Sequence, residues 1–107
     1  MGKQADKAQR RRLQDLADVA YERELSRELS ELEAEFGRWR AGETNAFDVS
    51  EAVHHFHQGP ARELFSKYGR SDLELVVAQA IHNGLISRDE AGAEVIKLLS
   101  GHLKAFE

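Results

Sequence analysis

Apolar positions along the chain recur at helical spacing, and near the start they change face once. Leu13, Leu16, Ala17 and Ala20 form one strip. Leu25, Leu29, Leu32, Phe36 and Trp39, alternately four and three apart, form a second strip roughly 130° further round a helix that turns about 100° per residue. Only Gly37 interrupts helix-forming residues between Leu13 and Arg40, so the pattern predicts one helix roughly 40 Å long. The heptad-like second strip is expected to pack on the rest of the chain. That leaves the first strip uncovered, and Leu13, Leu16, Ala20 and Tyr21, with Leu25 at the join, are the residues expected to hold a homodimer together through the first helix.

Further along, Asn45 reads as an N-cap with Asp48 three residues on, opening a second helix to about His57. Gly59-Pro60 ends it and starts a third, with Ala61, Leu64, Phe65 and Tyr68 on one face and Gly69 as its stop. Ser71-Asp72-Leu73-Glu74 has the form of a capping box, followed by Leu73, Val76, Val77, Ala80 and Ile81 on a single face. Asn83-Gly84 closes that fourth helix. Ser87-Arg88-Asp89-Glu90 repeats the box and opens a fifth, with Ala91, Val95, Leu98 and Leu99 apolar, running on toward Leu103 and Phe106. Leu85 and Ile86 between the two are expected to turn inward. The sum is an all-α helical bundle of one long N-terminal helix and about four shorter ones.

Composition agrees with this pattern. Fourteen Ala, thirteen Glu and twelve Leu stand against six Val, three Ile and one Thr, which favours helix over strand. The 107 residues suffice for one domain, and no run approaches the roughly 20 apolar residues of a membrane span. MGKQADKAQRRR lacks the apolar core of a secretory signal, so the expected location is the cytoplasm, with no membrane partner. With no cysteine, disulfides, Cys-ligated zinc, iron-sulfur clusters and thiol nucleophiles are excluded.

Charge is uneven. The net charge is -4, yet residues 1–12 hold Lys3, Lys7, Arg10, Arg11 and Arg12 against Asp6 alone, which leaves an acidic remainder. This divides the chain into a basic extension, 1–12, and a single helical domain, 13–107. Five cations suit phosphate contact, but the acidic stretch behind them and the lack of interleaved aromatics argue against a nucleic-acid partner.

Candidate chemistry is confined to Glu51, His54, His55, His57, Arg62 and Glu63. Glu51-x-x-His54 is the element used by helical di-iron sites, and His57 is one turn on, so Glu51, His54 and His57 are the candidate metal ligands. Such sites use that element twice, and here it occurs once; His82, His102 or Glu63 would have to complete the shell. As an enzyme the chain would use His54 or His57 as general base, oriented by Glu51 or Glu63. No nucleophile elbow or phosphate-cradling glycine run accompanies them, and the balance points away from an enzyme and from any cofactor. The plainer expectation is a structural or interfacial cluster in which His54, His57, Arg62 and Glu63 are half-buried and hydrogen-bonded.

Gly42-Glu43, Phe47, His54, Phe56-His57, Gly59 and Arg62-Glu63-Leu64 together resemble a GExxxF...HxFHxGxxREL pattern in a group of small uncharacterised bacterial proteins. The likeness spans roughly positions 36 to 68, with departures at Thr44 and Val49. It implies a bacterial source and an all-helical fold, and no function. The expected role is therefore that of a homo-oligomeric protein-interaction or regulatory module.

Overall fold

The computed structural model describes residues 5–70 and 72–107, and among these every regular element is a helix. Helix α1 spans Lys7–Arg40, α2 Ala46–Gln58, α3 Pro60–Arg70 and α4 Leu73–His82; three short helices follow, α5 Arg88–Ala91, α6 Ala93–Leu98 and α7 Ser100–Ala105. None of them is long and apolar enough to cross a membrane.

Helix α1 sets the shape. Its 34 residues rise about 51 Å, most of the molecule's 59 Å length, while the other two dimensions are 25 Å each. It begins well before Leu13. The Asp6 carboxylate accepts from the Gln9 backbone N–H, and the Gln9 side chain accepts from the Asp6 N–H, a reciprocal cap. The expected boundary between residues 12 and 13 is therefore no boundary in the helix. Lys7, Arg10, Arg11 and Arg12 are its exposed opening turns, while Lys3 lies outside the described residues.

From the far end of α1 the chain returns along it. Asn45 caps α2 by accepting from the Asp48 N–H, as its position predicts. The turn into α3 lies at Gly59, where an added Cβ would stand 3.0 Å from the His55 carbonyl oxygen, and Pro60 then opens α3. Gly69 does not stop that helix, which runs to Arg70. Together α2 and α3, about 36 Å of helix, bring the chain back to Tyr21, on which Tyr68 stacks, and so deliver α4 beside the first half of α1. Asp72 caps α4 by accepting from Glu74 N–H; Ser71, the expected cap, lies outside the described residues.

Helix α4 is buried at Val76, Val77, Ala78, Ala80 and Ile81, so it needs cover on nearly every side. Leu13, Leu16, Ala17 and Ala20 of α1 supply one wall, and the small Ala17 and Ala20 permit close approach. Leu85 and Ile86 turn inward as expected, and Ala91, Val95, Leu99 and Leu103 close the core. The helix expected as one piece after Ser87 is instead three. The predicted Ser87–Glu90 capping box forms, but Gly92, at φ 89° and ψ 154°, ends α5 after one turn in a conformation open only to glycine.

The expected homodimer contact at Leu13, Leu16 and Ala20 is corrected by this packing. Those side chains are 1%, 3% and 0% exposed within a single chain. Helix α4 has taken the first strip, and the second strip is left with only α2 and α3 to cover it.

Candidate functional site

The two ends of the molecule are unequally filled. Among the described residues, fifteen buried apolar residues belong to one continuous core around α4, whereas at the α2–α3 end only Val49 is buried. Leu29 is 45% exposed, Trp39 42%, Phe65 71% and Phe47 86%. Of these, Leu29 and Phe65 line one groove, and large apolar side chains exposed side by side mark association sites.

A groove of about 610 Å³ runs between α1 and the α2–α3 pair. Tyr21, Leu25 and Leu29 form one wall; Phe56, Ala61 and Phe65 form the other, with His57, Gln58 and Arg62 as its polar lining. Two features hold the walls in register. The Tyr21 and Tyr68 rings stack with centroids 4.8 Å apart and planes within 3°. Glu24 accepts from the Tyr68 hydroxyl at 2.6 Å and pairs with the Lys67 ammonium at 3.1 Å. Burial first, and then the bond to Glu24, push the Tyr68 hydroxyl's pKa well above its usual value of 10.0, so the ring remains a donor. None of this latch was anticipated. Tyr68 was read only as an apolar position, although a tyrosine near a glutamate-rich helix carries that signal.

The polar cluster is split. On α2, Phe47, Glu51 and His54 share one strip, opposite the strip of Val49 and Phe56 that faces α1. His54, His55, His57, Glu51, Arg62 and Glu63 are all exposed, so the half-buried, hydrogen-bonded arrangement expected of His54, His57, Arg62 and Glu63 is not formed. His57 and Arg62 reach the groove; Glu51 and His54 look away from it. Glu51 and His57 stand about 120° apart around α2 with His54 between them, which separates Glu51 from His57 as a general-base pair. Among the described residues the candidate metal set Glu51, His54 and His57 does not bring its donor atoms within 4.8 Å of one another.

Among the described residues, the three side chains close enough to share an ion are instead Asp72, Glu74 and His102, their donor atoms all within 4.8 Å. Glu74 and His102 border a cleft of about 730 Å³ whose lining also includes Glu94 and Lys97. Asp72 already serves α4 as its cap, and the positive N-terminal end of that helix opposes a cation there. These groups are explained as helix-end carboxylates with a neighbouring imidazole.

The basic turns of α1 are partly committed. Arg12 donates to the Glu90 carbonyl at 2.6 Å, and Arg23 grips both Glu90 carboxylate oxygens at 2.9 and 2.6 Å while also donating to the Leu85 carbonyl. These cations fasten α1 to the start of α5 and to the α4–α5 link, which reduces the basic stretch that would meet phosphates. Compared with protein-family models, curated proteins and solved structures, the chain matches none.

Proposed function

We propose that this chain works by protein association, and that the groove between α1 and α2–α3 receives the apolar helical face of another polypeptide. The observation that carries this reading is Phe65, 71% exposed on a groove whose other wall is Leu25 and Leu29, at the end of the molecule where Val49 alone among the described residues is buried. A side chain chosen for folding would sit in the core; one that stays in water gives the isolated chain nothing and gives a complex an aromatic anchor. The lining suits a helix in a groove, with aliphatic and aromatic contacts in the middle and Arg62 at the margin for orientation.

The groove's accessibility is read with 8-anilinonaphthalene-1-sulfonate, a dye that fluoresces on exposed apolar surface. Dilute wild type is expected to bind it, and Phe65→Glu and Leu29→Glu to lose most of the signal with unchanged far-ultraviolet circular dichroism. Equal signal from wild type and both variants would show that the groove is not the open apolar surface and would remove this reading.

A further inference from the structure

Resting on that reading, we infer that the groove's occupant is a second copy of this chain, docked groove to groove about a two-fold axis that runs along the groove. Charge is the first argument. On α1, Glu22 and Glu33 stand about 20° and 40° beyond Leu29 in helical rotation, and both are exposed, so that margin is acidic. The opposite margin carries Arg62 and His57, and among the described residues Arg62 is the full cation of the lining. An axis along the groove lays α1 of one copy over α3 of the other. Each acidic margin then meets a basic one, twice, and the Phe65 and Leu29 of each copy enter the other's groove. An axis across the groove would place α1 over α1 and set acid against acid, which costs affinity.

Surface area is the second argument. The chain exposes 7749 Å², roughly 1,700 Å² more than the ~6,000 Å² usual for a folded monomer of its mass. Its radius of gyration, 17.6 Å, compares with about 13 Å for a compact chain of this length. A standard interface removes about 800 Å² from each partner. The excess is therefore ample for one such contact, and Leu29, Phe36, Trp39 and Phe65, all exposed, lie at the α2–α3 end.

Light scattering and sedimentation on the full chain test this, with dye binding followed on the same samples. Wild type is expected to show twice the chain mass at micromolar concentration and to shed the dye as it dimerises. Phe65→Glu is expected to remain a monomer with unchanged helicity. Arg62→Glu is expected to weaken the dimer several-fold, and the triple variant Arg62→Glu, Glu22→Arg, Glu33→Arg to restore it, because only an axis along the groove pairs those positions. A dimer indifferent to Phe65→Glu, or not restored by the charge exchange, overturns the arrangement. A wild type that stays monomeric at every concentration while binding the dye at the groove overturns the second copy and leaves the groove to a different polypeptide. A monomer that also fails to bind the dye there overturns both readings.

Discussion

Arg23 and Glu90 show how much a few exposed residues can fix. The bidentate contact with the Arg23 guanidinium, and then the Ser87 backbone N–H, hold the Glu90 carboxyl at about 2, against 4.5 ordinarily. Because the folded value lies below the unfolded one, its stabilisation is present above pH ~4.5 and is lost as pH falls toward 2. Urea melts of wild type and Glu90→Gln across that range should converge as the pH drops; curves that keep a constant separation would show that the pair carries no pH-dependent stability. Tyr68 has the opposite sign. Its raised value means its contribution holds below pH ~10 and fades above it, and Tyr68→Phe, which leaves Lys67 on Glu24, should cost about 1 kcal/mol in urea melts at neutral pH. Gly92→Ala meets no neighbour within 4 Å, so its cost is backbone strain alone, about 1–3 kcal/mol by thermal denaturation. The Ser87–Glu90 cap was legible because its pattern is local. The Asp6–Gln9 cap has an equally local signature, but the surrounding cations drew the reading toward a tail.

At the scale of elements, the helices follow from periodicity and their ends from caps. Asn45, Gly59-Pro60 and Asn83-Gly84 all mark ends where expected, and Gly84, at φ 77°, lets the Leu85 N–H turn back to the Ala80 carbonyl. The break at Gly92 was missed because Ala91, Val95 and Leu99 keep helical spacing across it. One conformation at Gly92, with no side chain to betray it, parts α5 from α6, and a second break at Leu99, at φ -94° and ψ 8°, parts α6 from α7. Burial separates structural from associative residues by element. Leu99→Ala, at 0% exposure in the α4 core, should lose about 2–5 kcal/mol in chemical denaturation. Phe65→Ser on α3, melted at concentrations low enough for wild type to be monomeric, should stay within about 0.5 kcal/mol of wild type; a large loss there would mean that the groove wall belongs to the fold.

At the scale of the whole molecule, the outcome turns on which half of α1 the rest of the chain covers. Both halves carry an apolar strip, and the heptad-like spacing of the second made it the strip expected to pack on the rest of the chain. Chain length decided otherwise. Helices α2 and α3 use about 36 Å to travel back along α1, so α4, the one helix apolar on nearly every side, arrives at Leu13–Ala20 and packs there. A dimer joined by opposed charged margins should also weaken modestly as salt rises, because exposed ion pairs are screened while the apolar contact is not. Sedimentation in low and high salt measures this, and a dimer tightened or unaffected by salt would count against paired margins.

By itself the sequence determined the all-helical class, most helix limits and the presence of two apolar faces on α1, because periodicity, propensity and capping act over a few residues. Only the tertiary structure decided which face becomes core and which meets solvent, and that His57 and Arg62 line one groove. Those outcomes depend on where a returning chain arrives in space, and no short window of residues records that.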